Sequence, residues 1–248
     1  MRSFYLQQPA CSTTAYLWYA ADMDISLQSI ALSASHVPFI KETKKEKQII
    51  QDKDIKTLLA APPDTQKGNR DRMIMILLYD TAIRIAKLLE LKISSLKLTS
   101  VPSIHIHGKG DKERSVSITD ATVSHLKKYL RQFHPEMLPD QPLFYTKIKG
   151  CIAPMSPGNV SRIINKYADM IRSEHPDLPK HLHCHMFRRT RATGLYRSGV
   201  ELEMISVILG HASTETTRIY ATPSIEMLGE AMNAANSMIP DETPEWEE

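Results

Sequence analysis

Apolar positions recur at helical spacing through most of the chain and at strand spacing in one short stretch. Ile55, Leu58 and Leu59 predict a helix that Asp52 or Asp54 can cap and that Pro62 and Pro63 end. A second helix is predicted after Asn69. Its apolar positions Met73, Ile74, Ile76, Leu77 and Leu78 cover more than one face, so it should be central and well buried, with Arg84 just beyond it. From Ser103 to Ile118 the period drops to two: Ile104 and Ile106 alternate with His105 and His107, then Val116 and Ile118 with Ser115 and Ser117. Gly108 and Gly110 separate the two runs, which predicts a β-hairpin with Lys109 and Lys112 near its turn.

Helical spacing then returns. Asp120 can cap a helix carrying Val123, Leu126 and Leu130, and Ser156 before Pro157 opens one carrying Val160, Ile163, Ile164 and Tyr167. Three more helical stretches follow: His185 to about Ser198, closed by Gly199; Glu201 to Leu209, closed by Gly210; and a short one opened by Ser213. A last amphipathic segment carries Ile225, Leu228 and Met232. Residues 1 to about 40 hold a short apolar pattern, Ile25, Leu27, Ile30 and Leu32, followed by Pro38. No repeat is evident. The expected fold class is mainly α with a small antiparallel β-sheet (α+β).

The 42% hydrophobic content of the 248 residues is sufficient for a core, and a formal charge of +3 permits an anionic partner without requiring one. The distribution says more. Lysines crowd between Lys41 and Lys47, Arg188, Arg189 and Arg191 stand close together, and the last eight residues from Asp241 are acidic. The lysine run reads either as a solvated linker or as a set of phosphate contacts. Cys11, Cys151 and Cys184 are odd in number and far apart, which argues against a disulfide framework and for a reducing cytosol. No stretch approaches eighteen consecutive apolar residues and no leader pattern opens the chain, so a cytoplasmic, membrane-free protein is expected.

His185 and Arg188, three apart on a predicted helix, share a face suited to an anion. A guanidinium offers a bidentate fork to phosphate oxygens, and a histidine exchanges protons near neutrality. Nearby, His181, His183, Cys184 and His185 crowd into five residues, and imidazole and thiolate both bind zinc. Adjacent ligands of this kind rarely close a tetrahedral site and no C-x-x-C pair stands elsewhere, so no metal is expected. Taken singly, Tyr220 reads as a core tyrosine, Lys109 as a hairpin-turn lysine and His211 as a helix-end histidine.

Their order changes that reading. His185-x-x-Arg188, then Leu209-Gly210-His211, then Tyr220 nine residues after that histidine resemble the signature half of the tyrosine recombinase (phage integrase) family. Thr81-Ala82-Ile83-Arg84-Ile85 is similar to the family's first arginine box, and Gly108-Lys109-Gly110 to its β-hairpin lysine. The resemblance covers roughly residues 50 to 223 and matches all six catalytic positions in order: Arg84, Lys109, His185, Arg188, His211 and Tyr220. It implies the integrase catalytic-domain fold over 46–223, preceded by a short N-terminal segment and linker (1–45), a truncated core-binding domain, and followed by a C-terminal helix and acidic tail (224–248).

The resemblance further implies a site-specific recombinase of the integrase or transposase type, acting on double-stranded DNA through a 3′-phosphotyrosine intermediate, with no metal or other cofactor. In it Arg84 and Arg188 bracket the scissile phosphate and His211 donates a hydrogen bond. Tyr220 attacks with His185 as base, and Lys109 protonates the leaving 5′ oxygen. Further DNA contacts are expected from Lys41, Lys44, Lys45, Lys47, Lys112, Arg189 and Arg191, and self-association on DNA, as dimer or tetramer, from the C-terminal helix. Two residues depart from the family pattern: Ala82 stands where glycine is usual, and Lys87 where an acidic residue is usual. If the backbone needs positive φ there, alanine costs about 1 kcal/mol, and Lys87 adds positive charge to the site. These departures keep open an inactive DNA-binding regulator, and the shared chemistry keeps open a type IB topoisomerase-like enzyme.

Overall fold

The computed structural model describes residues 9–36, 48–107, 113–148, 150–211 and 213–220, with single positions at 227 and 229. The chain divides into two compact units, Met1–Lys47 and Gln48–Glu248. In the first, helix α1 (Pro9–Met23) and helix α2 (Gln28–Ser35) pack on each other through a short turn at Ile25–Leu27. Asp24 caps that turn by accepting a hydrogen bond from the Ser26 N–H, and the Trp18 indole donates to Ser35 Oγ at 2.9 Å.

The second unit is mainly helical. Helix α3 (Asp52–Ala60) ends two residues before Pro62, as expected, but its N-cap is Gln51 with no side-chain hydrogen bond, and Asp52 and Asp54 lie inside its first turn instead of capping it. Helix α4 (Gln66–Asp80) starts earlier than the expected point after Asn69, because the Thr65 hydroxyl accepts from the Gly68 N–H and caps it. Met73 through Leu78 are all buried, so α4 is the central element against which α3 and later helices pack. A short helix α5 (Ile85–Leu89) follows.

Strands β1 (Leu96–Lys97), β2 (Ser103–His107) and β3 (Glu113–Ser117) form an antiparallel sheet in that order, with Ile104 opposite Val116 and His107 opposite Glu113. Ile104, Ile106, Val116 and Ile118 turn into the core, as the period of two requires. Helix α6 (Asp120–Phe133) is capped by Thr119, not Asp120: the Thr119 hydroxyl accepts from the Thr122 N–H. Asp80, at the end of α4, accepts from the Thr119 N–H at 3.0 Å and the Thr122 hydroxyl at 2.7 Å and ties the two helices together.

A second hairpin of β4 (Tyr145–Ile148) and β5 (Cys151–Pro154) was not expected from the sequence. Helix α7 (Pro157–Ile171) begins where Ser156-Pro157 places it, with Ser156 as cap. Helices α8 (Cys184–Arg197) and α9 (Leu202–Leu209) complete the described core. The structure is thus mainly α with small antiparallel sheets. Among the described residues, no helix is long and apolar enough to cross a membrane.

Candidate active site

Arg84 is placed by the way α4 ends. The Thr81 hydroxyl donates to the Leu77 carbonyl and accepts from the Ile83 N–H, Ala82 between them takes φ = 49°, and Arg84 becomes the N-cap of α5 with its side chain exposed. The reversal points the Ala82 carbonyl at Arg188, whose Nη1 donates to it at 2.7 Å. Arg188, 1% exposed, donates from Nη2 to the Leu209 carbonyl, also at 2.7 Å, and its Nε has no partner among the described residues. One guanidinium therefore joins the ends of α4 and α9 and keeps donors to spare.

Ala82 does stand where the backbone favours glycine. Its methyl group, however, is fully buried in a small cluster with Ala192, Ile205, Leu209 and Tyr220. The left-handed conformation costs an alanine about 1–2 kcal/mol. Burial of the methyl returns about 0.8 kcal/mol, and the stiffer unfolded chain about 0.4–1 kcal/mol. The terms nearly cancel. Ala82→Gly is therefore expected to change the free energy of unfolding in urea by less than about 1 kcal/mol; a stabilisation well above that would show the cluster contributes nothing.

At the end of α9, Gly210 adopts φ = 63° and lets the His211 N–H reach back to the Ser206 carbonyl at 3.0 Å. A side chain at Gly210 would collide with the Arg114 guanidinium as well as strain the backbone. His211 Nδ1 is 2.9 Å from the hydroxyl of Thr217, which is fully buried, and the His211 ring stacks on Tyr220 with centroids 6.2 Å apart. Tyr220, 5% exposed, sits in a short turn whose N–H bonds to the Thr217 carbonyl, and it interacts with the Arg188 guanidinium.

Arg84, Arg114 and Arg188 thus lie near enough for their charges to act on one another, and among the described residues none of them is paired with a carboxylate. Burial, then Arg84, pushes Arg188 down to about 10, still fully protonated at neutral pH. Burial and Arg84 push Arg114 down as well. His211 is pushed down to about 4 by burial, then by Arg188, Arg84 and Arg114. His185 falls to about 4 through partial burial, then Arg189, Arg188, His183 and Arg84. Two neutral imidazoles beside uncompensated cations make a site prepared for an anion.

A pH dependence follows. In the unfolded chain both imidazoles titrate near 6.5, in the folded chain near 4. Between those values the unfolded state holds more protons, so these groups make folding less stable as pH falls from about 6.5 towards 4 and contribute no slope above it. In NMR titrations of the DNA-free protein, the ring protons of His185 and His211 should show no inflection from about pH 5.5 to 8. An inflection near 6.5 would mean the cations do not act on them.

Five of the six residues matched in the sequence, Arg84, His185, Arg188, His211 and Tyr220, lie in this site. Lys109 lies outside the described residues, as do Lys41, Lys44, Lys45, Lys47 and Lys112. Arg189 stands beside His185, whereas Arg191 turns to Asp80 at 3.3 Å and lies over the Tyr79 ring. Lys87 is paired with Glu90 at 2.6 Å, one turn along α5, so its charge is met locally. Cys184 faces the core beside the surface histidines His183 and His185.

Arg114 and Thr217 were missed in the sequence. Arg114 carries a signal: in the alternation Arg114, Val116, Ile118 it occupies an inward position of a strand, where a charge needs a reason.

A family model described as the phage integrase family matches residues 48–226. A tyrosine recombinase from Agathobacter rectalis is 39% identical over 164 residues, 65% of this chain and 51% of that protein. Tyrosine recombinase XerA from Pyrococcus furiosus is 30% identical over 188 residues, 75% of this chain and 61% of that protein. The chain thus spans between about half and two thirds of the length of these curated relatives. Among solved structures, XerA recombinase matches with TM-score 0.63 and 24% identity, over 94% of this chain and 87% of that one. XerH site-specific recombinase bound to its difH substrate matches with TM-score 0.63 and 22% identity, over 92% of this chain and 70% of that one. These two likenesses carry the fold.

Proposed function

The chain belongs to the phage integrase family, and from that premise we propose that it is a site-specific DNA recombinase of the integrase or transposase type that cuts and rejoins strands through a 3′-phosphotyrosine at Tyr220. The observation that carries this reading is the convergence of Tyr220 and His211 on Arg188 among guanidiniums that no described carboxylate neutralises. Such a site suits a phosphodiester whose negative charge grows in the transition state. The likeness to the Tn1549 transposon integrase in complex with circular intermediate DNA supports DNA as the partner.

Attack by the Tyr220 oxygen on phosphorus breaks the bond to the 5′ oxygen. Arg84 and Arg188 hold the non-bridging oxygens, with Arg114 adding charge behind them. His185, neutral at pH 7, accepts the phenol proton, and the bound phosphate strengthens it as a base by bringing negative charge beside it. Lys109, assigned by family resemblance, protonates the leaving oxygen. A 5′ hydroxyl reverses the attack, so rejoining needs no ATP.

Thr217 positions His211. Its hydroxyl is buried and has His211 Nδ1 as its one acceptor among the described residues, so it donates there and leaves the proton on Nε2, available to the phosphate. Thr217→Val is expected to slow cleavage about tenfold, Thr217→Ser to restore it, and ¹⁵N spectra to show the His211 tautomer shifting only in the valine variant. Wild-type rates in Thr217→Val would remove this role.

Lys41, Lys44, Lys45, Lys47, Lys112 and Arg189 supply salt-dependent phosphate contacts in this reading, Arg191 does so only if DNA displaces Asp80, and residues 224–248, nearly all outside the described residues, join protomers on cytoplasmic DNA. The test is to incubate the protein with nicked or junction DNA from its genomic neighbourhood and score species that survive denaturation. Covalent adducts, followed by joining when a 5′-hydroxyl strand is added, are expected without ATP. A gel shift without adduct would replace this reading with a binding-only regulator, and relaxation without strand exchange with a topoisomerase.

A further inference from the structure

We propose that His105, His107 and Glu113 form a binding site for a divalent transition-metal ion of the zinc type. The period of two on β2 puts both histidines on the face opposite the buried Ile104 and Ile106, and the sheet register sets Glu113 directly across from His107. Glu113 lies between the two rings: its Oε2 is 3.2 Å from His105 Nε2 and its Oε1 is 2.9 Å from His107 Nδ1. One ligand atom from each of the three lies within 4.8 Å of the others.

Zinc bonds of about 2.0–2.1 Å to nitrogen and oxygen at tetrahedral angles put neighbouring ligand atoms about 3.3 Å apart. The two separations from Glu113 are already close to that spacing, and the histidine ligand atoms, within 4.8 Å of each other, are in reach of it by side-chain rotation. Imidazoles with one carboxylate select zinc-type ions over magnesium or calcium, which prefer all-oxygen shells. His105 Nδ1 is 3.2 Å from Ser115 Oγ, an outer contact that turns Nε2 towards Glu113 and is the kind of support that ligating histidines have. Glu113 and His107 are more than half exposed, so solvent can fill the remaining position. Spacing along the chain does not reveal this site, because the ligand set closes only across the register of β2 and β3. A bound ion would tie β2 to β3 at their last pair, His107 and Glu113.

This site does not depend on the recombinase reading, and binding alone tests it. Zn²⁺ would be titrated calorimetrically into the metal-stripped full chain, and Co²⁺ followed by visible absorption, for wild type, His105→Asn, His107→Asn, Glu113→Gln and, for the other histidine group, His183→Asn. One ion per chain at micromolar concentration is expected, with Zn²⁺ affinity at least about tenfold weaker in each of the three ligand variants and unchanged in His183→Asn. Circular dichroism in chelator shows whether each variant is folded, and only folded variants are compared. Failure of wild type to bind, or equal binding by the folded ligand variants, would overturn the site.

Discussion

Replacing Arg188 with lysine is expected to lower the rate of strand cleavage by about two to three orders of magnitude and the free energy of unfolding by about 1–3 kcal/mol. Charge is kept in this variant, so the loss isolates geometry. In the native protein the two Nη atoms reach the Ala82 and Leu209 carbonyls at the same time while other donors stay available. A lysine ammonium is a point charge and cannot span both carbonyls while also presenting a fork to phosphate. One buried carbonyl then loses its donor, and the ends of α4 and α9, which carry Arg84 and His211, are no longer held in one frame. Single-turnover cleavage of a nicked substrate and urea unfolding measure the two effects. A lysine variant that cleaves at the native rate would show that charge alone suffices.

Tyr220→Phe carries the larger effect: covalent adduct should vanish while the protein stays folded and binds DNA. The ring is buried in the cluster with Ala82, Ala192, Ile205 and Leu209 and stacks on His211, and phenylalanine keeps both contacts. What is lost is the hydroxyl, its interaction with Arg188, and the oxygen that would attack phosphorus. Stability should change by no more than about 1 kcal/mol. Equal gel-shift affinity for wild type and variant, with adduct in the wild type alone, separates the nucleophile from a merely structural tyrosine.

Much of the fold was legible because local signals and burial agree. Ser156-Pro157 opens α7, Gly210 closes α9 and Ser213 caps the turn after it, each as read from residue type. Errors arose where two polar neighbours competed for a cap, as with Thr119 and Asp120, or where a polar first turn hid the helix, as at Gln66–Asn69. The β4–β5 hairpin escaped because β5 is largely exposed and its residues carry no inward–outward contrast. In the site, the ordered boxes named Arg84, His185, Arg188, His211 and Tyr220. Arg114 and Thr217 depend on neighbours brought together by folding, Gly210 and His211 respectively, which no spacing along the chain encodes. The structure also answers the two departures: Ala82 takes the positive φ and buries its methyl, and Lys87 has Glu90.

The most direct test is to trap protein on nicked DNA, digest the adduct with protease and nuclease, and locate the nucleotide-bearing peptide by mass spectrometry. The account predicts a single modified residue, Tyr220, attached to a 3′-phosphate. Modification at any other residue, or no modified peptide from a protein that demonstrably cuts its DNA, would contradict it.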